Sequence, residues 1–303
     1  MNLKGIAVYL SLSYLLVFLF VFIGHAEGAL SMASPNLFQF LLLAALMGIP
    51  ALCAAIARHF CPDNAPAPHP IWPVRFDTVA RATLLPIAAF AITYLIATLA
   101  GLTYPQWNLA GLLNRVSDQM PAPLPPEAEA VAPVAALVFY PLISIAVGAT
   151  LFALLALGSE IGWRGYLLPR LMPAGRIPAY VLTGLLWGIW FVPFLLAWYR
   201  ETETAGGLEP LLRALALAIV LGAVLGQIAD RARSLGAAAL CLGAFAGQAS
   251  GIWGHLFQQS SPPWTGAAGW IAIGVWGLLA CMPGLYTPRK PTTEPAAESG
   301  AAL

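Results

Sequence analysis

Glu160 and Arg164 stand one helical turn apart in GSEIGWRGYLLPRL, directly after the apolar run 133–157. Residues four apart share a helix face, and an acid placed before a base is the favourable order. The pair has two readings, the floor of an active site or a structural tie. Either charge buried alone near a bilayer is costly, whereas paired, each offsets part of the other's desolvation. Other reactive types are scarce. Cys53, Cys61, Cys241 and Cys281 show no paired spacing and read as apolar filler or free thiols. The histidines are His25, His59, His69 and His255; the first three read as solvated or interfacial. Cys241 as a nucleophile needs a base within hydrogen-bond reach, and the sequence places none.

The elements that must position these residues are set by composition. The chain has 303 residues, 60% of them hydrophobic and 9% charged, with a mean hydropathy of +0.80. A soluble domain carries about 25% charged residues, so the class is a polytopic membrane protein. The net charge of +1, without a basic block or a phosphate-cradling loop, leaves nucleic-acid binding nothing to stand on. Eight segments reach the roughly 20 residues a crossing needs: 4–24, 37–57, 79–101, 133–157, 177–199, 211–228, 235–253 and 266–283. Backbone groups in a bilayer must be paired internally, and the short alternating segments of a barrel are missing, so these are helices. The predicted fold is therefore all-α, a membrane bundle of about eight transmembrane helices.

The residues HAEGALSMA after the first run loosely resemble a signal-peptide cleavage region. A run of that length, with seven more behind it, reads instead as an uncleaved first span. The proline-rich loop 105–130 is irregular apart from a short surface helix over Trp107 to Met120. Lys4, Arg58, Arg75, Arg81, Arg164, Arg170, Arg176, Arg231, Arg233, Arg289 and Lys290 fall on one side of the alternating spans, and only Arg115, Arg200 and Arg213 on the other. That bias predicts both termini in the cytoplasm; the expected location is a bacterial inner membrane. Gly158, Gly162 and Gly165 are expected to let helices approach closely. The row Gly243, Gly247, Gly251 could serve internal packing or a partner helix equally, and Gln227 and Gln248 are expected to bond between helices.

GSEIGWRGYLLPRL resembles the first motif of the CPBP family, the intramembrane CAAX-protease and bacteriocin-processing proteins: two adjacent glutamates, three residues, then arginine. LLWGIWFVPFLL, 185–196, is similar to the family's second motif, an aromatic residue, three others and a histidine. DRARSLGAAALCLGAFAG, 230–247, is similar to the turn and helix that carry a histidine and, four residues on, an asparagine or aspartate. The resemblance covers roughly residues 130–255. The expected regions are an N-terminal membrane region 1–132, a core 133–285 that the resemblance marks as CAAX-protease-like, and a polar cytoplasmic tail 286–303, expected to be disordered.

The resemblance also implies metal-assisted peptide hydrolysis, and the chain departs from it at each reacting position. The water-activating glutamate falls on Ser159, the second glutamate on Glu160 and the arginine on Arg164. The second-motif histidine falls on Phe191, the last-motif histidine on Leu242 and its polar partner on Ala246. His255 lies roughly 20 Å along a helix from Leu242, and Cys241 points about 100° away from it around the helix. The expectation is a degenerate member without metal ligands and without a cofactor; a divalent ion such as zinc belongs to the alternative, an active endopeptidase with other ligands. A small transporter is a further alternative. The expected partners are the lipid bilayer and another membrane protein or a lipidated peptide.

Overall fold

The computed structural model describes residues 3–26, 37–72, 75–118, 125–201, 207–257 and 263–282. The expected tail 286–303 lies outside the described residues. Twelve α-helical stretches follow one another: α1 (Leu3–Ala26), α2 (Leu37–Phe60), α3 (Phe76–Leu99), α4 (Ala110–Asp118), α5 (Pro126–Val147), α6 (Ala153–Gly162), α7 (Leu168–Leu171), α8 (Arg176–Glu201), α9 (Leu208–Ala232), α10 (Leu235–Ala249), α11 (Trp253–Leu256) and α12 (Trp270–Cys281). The architecture is an all-α, multi-span membrane bundle. The short surface helix expected over Trp107 to Met120 is α4, which starts later, at Ala110; Met120 lies outside the described residues. Leu109 and Leu112, at its start, pack under Ile252 and Leu256.

Seven helical segments, one fewer than predicted, are long and apolar enough to cross a membrane among the described residues. The eighth, expected over 266–283, is α12 with 12 residues, or roughly 18 Å against a hydrocarbon core of about 30 Å. The sequence 263–269 ahead of it turns instead, with Gly266 at φ 86°, where L side chains are strained. Polar side chains of α9 hold both ends of this short helix. Arg213 donates to the Ala268 carbonyl at 3.3 Å, and Gln227 donates to the Ala280 carbonyl at 2.7 Å. Gln248 instead accepts from Trp253 Nε1 at 2.7 Å, joining α10 to α11.

The fourth predicted span is part of a longer rod. From α5 the chain runs through a π-helical turn (Gly148–Phe152), α6, a second π-helical turn (Trp163–Leu167), α7 and a 3₁₀ turn (Met172–Ala174), 49 residues in all. The helix therefore continues past Tyr166 and through Pro169, and ends where Gly175 takes φ 104°. Each π turn shifts the phase of the helix faces, and Arg164 sits inside the second one.

Glycines set the crossings that bring this rod to its neighbours. Gly162 lies against Pro50 of α2 and Gly158 against the Met47 carbonyl, with no room for a Cβ at either place. The row Gly243, Gly247, Gly251 serves internal packing: a Cβ on Gly247 would stand 2.9 Å from Gly148 Cα, and one on Gly251 2.8 Å from Ser144 Oγ. Small residues let backbones approach where lipid supplies no hydrophobic drive for helix association.

Candidate functional site

The Glu160–Arg164 turn is wholly enclosed. Both side chains have no exposed surface, and Arg164 Nη1 donates to Glu160 Oε1 at 2.8 Å. Arg164 Nη2 reaches the Gly222 carbonyl of α9 at 3.4 Å, and its guanidinium lies over the Trp187 ring at 4.7 Å. A charge held by a carboxylate, a carbonyl and an aromatic face is compensated on three sides, as a low-dielectric interior demands. Three further polar atoms at this turn find no protein partner: Ser159 Oγ, Glu160 Oε2 and Arg164 Nε.

The approach of α9 is made possible by a paired absence of side chains. A Cβ on Gly222 would stand 2.6 Å from Gly184 Cα of α8 and 3.4 Å from Arg164 Nη2. The helices meet backbone to backbone there, and the Gly222 carbonyl is brought within reach of the guanidinium.

Phe191 belongs to an aromatic group on the α8 side. Its ring is 5.5 Å from Trp187 and 5.0 Å from Trp190. Trp190 in turn lies 6.2 Å from Trp163, the neighbour of Arg164 in sequence. Ser159 is buried beside Glu160, whereas Leu242 and Ala246 are half-buried on α10. Cys241, the residue before Leu242, is fully buried and within electrostatic reach of both Glu160 and Arg164. The structure thus brings Cys241 to the pair. Helix geometry sets only its angle of about 100° from Leu242; the packing of α10 decides that Cys241 is the buried one of the two. His255 packs edge-on against Tyr140 at 5.8 Å, roughly 30 Å along the α5–α6 rod from Glu160.

Below the pair, the segment after α2 crosses the end of the rod as a strap. Asp63 accepts two bonds from Arg170, from Nε at 3.0 Å and from Nη2 at 2.7 Å. Arg170 also donates to the Tyr166 carbonyl at 2.8 Å and lies 3.7 Å over the Tyr166 ring. Arg58 donates to the Gly165 carbonyl at 2.9 Å. The far end of the strap is fixed by Leu235 N, which donates to the Pro70 carbonyl at 3.0 Å, and by Ser234 Oγ, which donates to the Ile71 carbonyl at 3.0 Å. No sequence motif announced Asp63; a lone acid in a proline-rich loop carries no pattern.

His69 lies within the strap, 4.0 Å from Asp230, which also accepts from the Tyr180 hydroxyl at 2.9 Å and pairs with Arg176 at 3.8 Å. Burial holds the His69 imidazole below its ordinary range; Asp230 opposes this and Arg233 adds to it. A base whose folded pKa is depressed binds its proton more readily when unfolded. The contribution of His69 is therefore complete above its unfolded value of about 6.5 and is lost as pH falls toward the folded value. Thermal unfolding of the detergent-solubilised protein should show a stability decrement between about pH 7 and pH 5, smaller in His69→Gln. Identical pH profiles for the two proteins would count against it.

Residues 134–246 match the sequence model of the family described as Rce1-like, the Type II CAAX prenyl endopeptidase Rce1-like proteins, and over those residues the chain is similar to that family. The matched segment contains the whole Glu160–Arg164 turn, the aromatic group and Cys241. Comparison with curated proteins gives no match.

Proposed function

We propose that this membrane protein is a catalytically silent relative of the CAAX proteases, a binding or regulatory protein that holds another membrane protein or a lipidated peptide. The observation that carries the reading is the state of the turn itself: Glu160 is engaged by Arg164, and Phe191 joins the Trp187 and Trp190 rings where a nitrogen ligand is expected. The family implies a divalent metal, and the residues present do not fit one. Phe191, Leu242 and Ala246 offer no side-chain nitrogen or oxygen, and Ser159 offers only a neutral hydroxyl. Among the described residues no three His, Cys, Asp or Glu side chains gather as a metal site. Hydrolysis of this class needs two or three such donors and a base beside the bound water, so no hydrolytic step is derived through this turn.

The Phe191, Trp187 and Trp190 side chains beside the turn are of the type that suits a lipid tail or an apolar helix. The lysine and arginine bias supports a cytoplasmic N-terminus, and with it a cytoplasmic side for the Asp63–Arg170 strap. Elemental analysis of the purified protein tests the reading. No stoichiometric divalent ion is expected in the wild type or in Glu160→Gln. An ion present at one per chain and lost in Glu160→Gln would identify an active metal-dependent endopeptidase instead.

A further inference from the structure

Helix α1 lies outside the family-matched segment, yet it closes the flank of the Glu160–Arg164 turn. One stripe of α1 is buried, with Ile6 at 8%, Tyr9 and Ser13 at 0%, Val17 at 1% and Val21 at 6% exposure, while Leu15, Phe18, Phe22 and Ile23 stay exposed. The Tyr9 ring stands edge-on to Trp163 at 5.5 Å and 5.0 Å from Tyr166, so it covers both sides of Arg164 along the π-helical turn. Two hydrogen bonds tie α1 to α8: Trp190 Nε1 donates to the Ser13 carbonyl at 3.1 Å, and Tyr14 donates to the Leu186 carbonyl at 3.0 Å.

The same interface is under-satisfied. By hydrogen-bond geometry the Tyr9 and Ser13 hydroxyls and Trp163 Nε1 have no protein partner, although Ser13 lies beside both Tyr9 and Cys53. Unpaired polar groups in a buried joint weaken it relative to a joint in which each group is used. The strap below shows the contrast, since Asp63 and Arg170 satisfy each other twice. Of the two closures around the turn, α1 is the weaker.

We propose that α1 is an occluding helix, a lateral gate whose Tyr9 seals the Glu160–Arg164 turn from the bilayer and whose release opens that turn to a ligand. The gate stands whether or not the turn does chemistry, because it concerns access alone. Its opening requires only that Tyr9 leave the Trp163–Tyr166 surface and that the Tyr14 and Trp190 bonds part.

Native cysteines report the opening. Cys53 on α2 lies beside Tyr9 and Ser13, Cys241 lies beside the pair, and Cys281 is exposed. The full-length protein in phospholipid nanodiscs is treated with N-ethylmaleimide, and labelling is followed at each cysteine by peptide mass spectrometry. In the wild type, Cys281 should label fast, and Cys53 and Cys241 should be protected. Tyr9→Ala should speed labelling of Cys53 and Cys241 by about tenfold or more through a larger open population, with Cys281 unchanged. Tyr14→Phe, which loses one bond and keeps the ring, should give a smaller rise at the same two sites and serves alone if Tyr9→Ala does not fold. Trp276→Ala, a core truncation remote from α1, is the control for general loosening. Unchanged labelling in the α1 variants, or an equal rise in Trp276→Ala, overturns the gate.

Discussion

Arg164→Leu is expected to destabilise the protein by about 3–5 kcal/mol, the range for breaking a buried ion pair from one side. The reason is the enclosure of Glu160: its carboxylate has no exposed surface, one oxygen is held by Arg164 and the other has no protein partner. With the guanidinium gone, the acid is left without a counter-charge in a site that water does not reach. Glu160→Gln should lower folded yield to a similar extent from the other side, by leaving Arg164 with only the Gly222 carbonyl and the Trp187 face. The double replacement Glu160→Leu with Arg164→Met should recover most of the loss, because matched apolar groups often replace a buried pair at little cost. Monodisperse yield on size exclusion and thermal unfolding of the wild type, Glu160→Leu, Arg164→Met and their double form a double-mutant cycle whose coupling measures the pair. Additive losses, or a wild-type yield in either single variant, would remove the structural tie.

The second large effect is expected at Gly222, and it depends on place rather than on residue type. Gly222→Ala should cost about 1–3 kcal/mol, the usual penalty for overpacking, since the new Cβ would lie 2.6 Å from Gly184 Cα and cannot be relieved by a rotamer change. α8 and α9 must move apart, and the Gly222 carbonyl then draws away from Arg164. Gly274→Ala on α12 is the same chemical change with nothing within 4 Å of the added carbon. There the helix should gain about 0.5–1 kcal/mol from the lost backbone freedom of glycine. Opposite signs in the two thermal shifts would support the close crossing; equal shifts would show that helix propensity alone decides both.

The acid–base pair was legible because its spacing fixes it within one helix: Glu160 and Arg164 share a face in any α-helical continuation of the apolar run. The motif order was legible for the same reason, since short patterns are local. The π-helical turn at 163–167 was not, because a one-residue change of phase leaves no mark in composition. Cys241 shows the consequence. Counting around an isolated α10 gives only its angle from Leu242, while the packing of α10 against the rod buries it within electrostatic reach of Glu160 and Arg164.

The short α12 shows a different limit. Its apolar run looked long enough to cross, yet Arg213 and Gln227 take carbonyls at its two ends and the glycine-containing turns before it use up the remainder. Hydropathy counts apolar residues and is blind to where a backbone turns. The glycine row on α10 was ambiguous for a related reason, as a small-residue stripe fits any partner helix. Gly148 and Ser144 decide that the partner is internal.

By itself, the sequence determined that this chain is a bundle of membrane helices, that an acid and a base share one turn, and that the residues expected to hold a metal are of other types. Each of these follows from residue chemistry and spacing along one strand of chain. Only the tertiary structure decided that Gly222 and Trp187 complete the surroundings of Arg164, that Asp63 ties the strap to Arg170, and that Tyr9 of the first helix covers the turn. Those contacts join residues far apart in sequence, between helices whose surfaces are almost uniformly apolar. Which faces meet is then set by close packing at glycines and by a few hydrogen bonds, and neither writes a periodic signal into the chain.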